Sequence, residues 1–223
     1  MSSLGDKVGG NALYLAARMT SASGRFQLNG ESYLQMAAAS GKPIIFAAWH
    51  GMTMMLVGLF RNRLDLSSIV LILPDDWRGK TLVIFAEKLG AQPFPMNLEG
   101  EASMATARKL AQLVKLVKGG CHCYLTPDGP FGPAYVMKPG LAYIAQKAGA
   151  VILPVGAYTR HGYRLNRWDR YTIPYPFSRI SVEVGAPIEV EKGADLTAVN
   201  QSLSHTLNQV TLQAAANYYE MGN

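Results

Sequence analysis

The chain is poor in charge and in cysteine, and several common site motifs are missing from it. Only 16% of its 223 residues are charged, against 49% hydrophobic. That balance excludes a disordered chain, and the length suffices for a buried core. The two cysteines, Cys121 and Cys123, stand two apart on a strand-like run and share one face. They exclude a disulfide framework and fit a reducing compartment. With His122 opposite and no second ligand cluster, they do not make a zinc site, and no metal or cofactor is expected. There is no G-x-S-x-G elbow, no Walker lysine loop and no G-x-G-x-x-G after a strand. Residues 1–10 lack the basic and apolar regions of a secretory signal. No repeat, low-complexity tract or long linker divides the sequence. It reads as one domain over 1–223, with N-terminal helices in 1–40, an α/β core in 41–190 and a C-terminal helix in 191–223.

What is present is an alternation of apolar runs. Pro43 to Phe60 is long enough to raise the question of a membrane span. Pro43 opens it and Trp49-His50-Gly51 interrupts it, so it divides into a buried strand and a Met-rich helix. Strands are expected at Ile44 to Ala48, Ser68 to Leu73, Ala91 to Pro95, Cys121 to Leu125 and Val151 to Ala157, with an edge strand at Arg179 to Val184. Helices are expected at 8–20, 31–39 (ended by Gly41), 52–61, 78–89, 101–118, 139–148 and 195–219. Continuously apolar strands alternating with helices define an α/β class, a mostly parallel central sheet covered by helices on both faces.

Ligands of such sheets bind beyond the carboxyl ends of the strands. His50, Asp75, Asp76 and Asp128 all follow strand ends. His50, beside a glycine, is the candidate general base, because imidazole titrates near neutrality. His122 and His205 read as structural, and His161 as solvated. The segment Thr126-Pro127-Asp128-Gly129-Pro130-Phe131-Gly132-Pro133 cannot sit inside a helix or a central strand. It is a shaped loop between a strand and the helix expected from Pro139. Arg78 and Lys138 lie near the same edge and can bind phosphate, as can the amides at that helix start.

Two further features each carry two readings. Met54 and Met55, in the stripe Met52 to Phe60, are candidates for an acyl groove, since thioethers adapt to alkyl chains; more often such a stripe is core. Between residues 158 and 179 stand Arg160, Arg164, Arg167, Arg170 and Arg179 among tyrosines and Trp168. With the net charge of +6, they suit an anionic membrane surface or, less well without a recognisable module, nucleic acid.

Trp49-His50-Gly51, the loop Pro127 to Pro133 with Lys138-Pro139-Gly140, and Ile152-Leu153-Pro154-Val155-Gly156 resemble a bacterial domain of the lysophospholipid acyltransferase superfamily. Trp168-Asp169-Arg170-Tyr171, Ile173-Pro174 and Pro176-Phe177-Ser178-Arg179 are similar to its C-terminal signature. The match runs from about residue 25 to 190. The resemblance implies a glycerol-phosphate-acyltransferase-like fold and transfer of an acyl group from acyl-CoA or acyl carrier protein to a hydroxyl of a phosphorylated lipid or glycolipid. It makes His50 the base. Asp128 matches the acid of the acceptor loop, with Gly129, Pro130, Phe131 and Gly132 lining it. The implied setting is cytoplasmic, peripheral on the inner face of the membrane, with no nucleic acid as partner. The superfamily's acid five residues after the histidine is missing: Met55 stands there. The loop arginine is missing too. Asp75, Asp76 or Asp128 is therefore expected to orient His50. A non-catalytic lipid-binding protein of the same fold is the alternative.

Overall fold

The computed structural model describes residues 2–97 and 103–220. In chain order the elements are α1 (Leu4–Ser23), β1 (Arg25–Asn29), α2 (Glu31–Ala39), β2 (Ile44–Ala47), α3 (Thr53–Arg63), β3 (Ile69–Pro74), α4 (Trp77–Leu89), β4 (Gln92–Met96), α5 (Met104–Lys118), β5 (His122–Leu125), α6 (Leu141–Ala148), β6 (Val151–Tyr158), β7 (Gly162–Arg164), β8 (Thr172–Pro174), β9 (Arg179–Val184), β10 (Ile188–Glu189) and α7 (Leu196–Glu220). The helix expected over 101–118 is α5; residues 101 and 102 lie outside the described residues.

The main sheet runs β1-β9-β6-β2-β5-β3-β4, with β10 added beside β6. Its pairs are parallel except β6 with β9 and β6 with β10. β2 is buried at every residue, and β6 at all but its last. Strands covered on both faces must be apolar throughout, and this is why these runs show no alternation. Fully buried Ile45, Phe46, Leu56, Ile152, Leu153 and Leu113 belong to one continuous core. Helix starts are fixed by side-chain caps: Ser3 accepts from Asp6 N–H, Asp76 from Arg78 N–H and Ser103 from Thr106 N–H. Each such cap stabilises by roughly 1 kcal/mol.

Two expectations need correction. Arg179 to Val184 is a strand but not an edge, because β9 lies between β1 and β6. The missed neighbour is β1, a five-residue strand of mixed polarity whose side chains are mostly half-buried. Its apolar pattern is too short to stand out beside the long helix before it. The sheet therefore begins before residue 41. The helix expected from Pro139 starts at Leu141, with Gly140 as its cap at φ 146°, a conformation suited to glycine.

Candidate active site

β2, β5 and β3 are adjacent in the sheet, so their carboxyl ends deliver His50, Asp128 and Asp76 to one edge. The chain leaves β2 through Trp49 and a single 3-10 turn, His50–Met52. Met52 and Trp49 are buried, and Thr53 donates its hydroxyl to the His50 carbonyl at 2.9 Å. The turn is thus anchored from both sides while the His50 side chain stays 24% exposed.

The carboxylate at the His50 ring is Asp169. His50 Nδ1 lies 2.7 Å from Asp169 Oδ2, and the Asp169 side chain is fully buried. Asp169 comes from the loop between β7 and β8, which returns over the site. Arg167 Nη2 donates to the same oxygen at 3.3 Å, and Tyr171 N–H donates to Oδ1 at 3.3 Å. Burial alone would raise the Asp169 pKa. Hydrogen bonding and charge attraction from His50, with help from Arg167 and Tyr171, outweigh it and hold the carboxyl below its ordinary value. A carboxylate at Nδ1 fixes the proton there and leaves Nε2 as the nitrogen that can accept another. Trp168 and Tyr171 flank the imidazole, with ring centroids at 5.5 and 5.6 Å.

Asp128 holds the other side of the same histidine. It is 1% exposed; its Oδ1 accepts from the His50 backbone N–H at 2.9 Å, and its Oδ2 from Tyr135 N–H at 3.3 Å. Burial pushes its pKa up, partly offset by those two N–H groups and by His50. Its carboxylate binds main chain, so it braces the loop from Thr126 to Pro133 against the end of β2. Two glycines permit the close approach. A Cβ on Gly129 would lie 2.9 Å from His50 Cδ2, and one on Gly51 would lie 2.3 Å from the Asp169 carbonyl oxygen. Tyr135, which donates its N–H to Asp128, and Arg170, between Asp169 and its N–H donor Tyr171, have φ of 62° and 46°. Such left-handed residues cost about 1–3 kcal/mol each and persist only where surrounding contacts fix them.

The remaining candidates fall into three groups. Phe131, at 37% exposure, lies under the Arg78 guanidinium at 4.6 Å, with Lys138 Nζ 5.8 Å from its ring. Lys138 also donates to the Gly129 carbonyl at 3.2 Å, so loop and cations form one cluster with Pro130 and Gly132. Asp76 does not reach the histidine: it caps α4 and pairs with Arg78. Asp75 is exposed. Met54 and Met55 are 1% and 4% exposed and packed in the core. Of the other histidines, His122 accepts from Ile44 N–H at 3.0 Å and titrates below its ordinary value through burial. His161, expected to be solvated, is exposed but meets the Tyr218 hydroxyl at 3.0 Å.

Asp169 lies within Trp168-Asp169-Arg170-Tyr171 but was not among the acids expected at His50. A signal was there. Asp169 is the single acid between residues 158 and 179, among five arginines. Among the described residues no three His, Cys, Asp or Glu side chains gather into a metal-binding group, and no helix is long and apolar enough to cross a membrane.

A mostly parallel sheet with helices on it, carrying its candidate site at the strand ends, places the chain in the α/β class with an acyltransferase-like fold. The solved structure that carries this statement is the 1-acyl-sn-glycerophosphate (LPA) acyltransferase PlsC from Thermotoga maritima. It superposes with a TM-score of 0.57 over 93% of this chain and 78% of that one, at 14% identity. In sequence, the chain is 28% identical over 168 residues to a protein of Rickettsia prowazekii (strain Madrid E) named "Uncharacterized protein RP090", covering 75% of this chain and 73% of that one. No protein-family model matches.

Proposed function

We propose that this protein is a single-domain acyltransferase that moves a fatty acyl group from a thioester, on CoA or an acyl carrier protein, to a hydroxyl of a phosphorylated lipid or glycolipid. It would work in the cytoplasm, peripherally on the inner face of the membrane. The observation that carries the reading is the 2.7 Å contact between His50 Nδ1 and the buried Asp169. It supplies from a distant loop the acid that Met55 does not provide.

In this mechanism Nε2 of His50 takes the proton of the acceptor hydroxyl as its oxygen attacks the thioester carbonyl. Asp169 stabilises the imidazolium that forms. The tetrahedral intermediate then collapses to an ester, the carbon–sulfur bond breaks, and the thiolate leaves with the proton returned from Nε2. Arg78 and Lys138, gathered around Phe131, grip the acceptor's phosphate. Asp128 is a positioning residue that keeps this loop in register with His50.

The missing acid favoured a lipid-binding protein without catalysis. Asp169 removes that support. The test is transfer from a labelled acyl thioester to a panel of lysolipids, wild type against His50→Ala. Loss of roughly a hundredfold or more in kcat is expected, the scale of a lost general base. Equal transfer by both proteins would sink the mechanism, and lipid binding without turnover by the wild type would favour the binder.

A further inference from the structure

The two-stranded sheet of β7 and β8 stands apart from the main sheet and has two unlike sides. Its inner strand, β8, buries Thr172 and Pro174, while Ile173 packs with Tyr171 on a cluster of Met54, Val57 and Phe85. The loop joining the strands carries Trp168, Asp169 and Tyr171 to the His50 ring. The outer side is different. Tyr163 on β7 is 57% exposed, and Arg160, Arg164, Arg167 and Arg170 are exposed as well. Asp169 is the one acid among residues 160–170, and its side chain is fully buried against His50. The hairpin therefore shows positive charge to solvent and no negative charge.

The fold does not neutralise these cations. Among the described residues no carboxylate pairs with Arg160, Arg164 or Arg170, whereas Lys42 and Arg63 elsewhere on the surface pair with Glu189 and Glu31. Arg164 donates to the Thr159 carbonyl at 2.8 Å, which holds its guanidinium near the hairpin and leaves its charge unopposed. Arg167 joins the two sides: it is 47% exposed and donates to Asp169 at 3.3 Å. The layout of the row selects its partner. The arginines stand before β7, at its end and within the loop, so they follow the hairpin and do not converge on one point. A single phosphate group would engage one or two of them; an acidic protein face can engage the row. A bilayer surface calls for exposed apolar groups among the cations, and the exposed residues here are His161, Tyr163 and Asn166. Leu165 is half-buried, as is Trp168, which lies against Gly132 and His50. Single-stranded nucleic acid calls for a series of open rings, and the outer side offers Tyr163 alone with His161.

We propose that the outer side of the β7–β8 hairpin docks an acidic acyl carrier protein, so that the thioester donor is protein-borne; the choice of this partner rests on the acyl-transfer reading above. Because the same hairpin holds Asp169 against His50, a carrier docked on its outer side stands next to the site. The thioester arm has only to pass the edge of the loop to reach His50 Nε2.

The test is binding of the whole chain to a bacterial acyl carrier protein bearing its phosphopantetheine, read by fluorescence anisotropy at low and raised salt. The variants are Arg160→Gln/Arg164→Gln and Arg160→Glu/Arg164→Glu, both at exposed positions, with circular dichroism to verify folding. Wild type should bind, and bind less as salt screens the charges. Affinity should fall about tenfold in the Gln pair and further in the Glu pair, where like charges face each other across the interface. No binding by wild type overturns the proposal, and so does equal affinity in all three proteins. Vesicles containing phosphatidylglycerol and a single-stranded oligonucleotide are measured in parallel. If the variants lose either of these and keep the carrier, the arginines serve a membrane or nucleic acid and the proposal fails. Binding is read without turnover, so a failed transfer assay counts against the acyl-transfer reading and leaves this result intact. Where transfer is measured, KM for the carrier-borne thioester should rise about tenfold in the Gln pair, with KM for the same acyl group on CoA unchanged. An equal rise with both donors would overturn the assignment of these arginines to a protein partner.

Discussion

Two aspartates hold one histidine, and they hold it differently. Asp128 binds the His50 main chain and Asp169 binds its ring. Both are buried, yet burial raises the pKa of the first, while His50 and Arg167 overcome burial at the second and lower it. The partner's charge, and not depth, decides the outcome. A carboxylate facing neutral amides can position a loop. One facing an ionisable ring can stabilise a charge that appears during reaction.

The largest effect that separates the two belongs to Asp169. Asp169→Asn keeps the shape but offers no carboxylate to the ring. The proton on Nδ1 is no longer enforced and the imidazolium loses its counter-charge. A fall of roughly 10²–10⁴ in kcat is expected, measured as initial rates against pH. Stability should respond in a defined direction. A depressed carboxyl contributes stability that is present above its unfolded pKa and lost as pH falls through the folded value. Denaturant midpoints of wild type should therefore decline through and below the usual carboxylate range, and decline less in the variant. An Asp169→Asn protein with wild-type kcat would erase the distinction between the two acids.

Asp128→Asn should act mainly on stability. One of its two backbone N–H partners then faces an amide donor instead of an oxygen, a mismatch worth about 1–3 kcal/mol at neutral pH by urea unfolding. The pH dependence reverses sign relative to Asp169. A raised carboxyl favours the folded state at low pH, and that contribution fades as pH rises through the folded value, so removing the group should flatten the loss on the alkaline side. The change in kcat should be about tenfold, from a displaced loop. If Asp128→Asn abolishes transfer while unfolding is unaltered, Asp128 acts on substrate and the comparison is wrong.

The same contrast explains what could be read in advance. The central strands were legible because burial on both faces forces long apolar runs, as in Val151 to Tyr158, which is buried at all but its last residue. His50 and the Asp128 loop were legible because strand ends and proline–glycine turns leave local marks. Asp169 left none of that kind. It sits 119 residues from His50, and a hairpin brings them together whose strands β7 and β8 are three residues each. Strands that short have no usable period. β1 failed to register for a related reason: partial burial of polar and apolar residues alike erases the alternation. The acids nearest in strand-end logic, Asp75 and Asp76, were preferred to one carried in by a loop, and Asp76 is engaged by its own helix and Arg78.

The smallest effect tests the loop from its far side. Lys138 reaches the Gly129 carbonyl and the Phe131 ring, so it has two separable duties, bracing the loop and presenting a charge. Lys138→Met keeps most of the stem, which packs, and removes the ammonium. If the cluster with Arg78 grips the acceptor's phosphate, KM for a phosphorylated acceptor should rise about tenfold, on the scale of one charge-assisted contact, with kcat nearly constant. An acceptor with the same acyl-accepting hydroxyl but no phosphate should show no change. An equal drop in kcat with both acceptors would mean that Lys138 serves the loop through Gly129 and leaves phosphate to other groups. That outcome would place it with Asp128, among the residues that hold His50 in position, and not with Asp169.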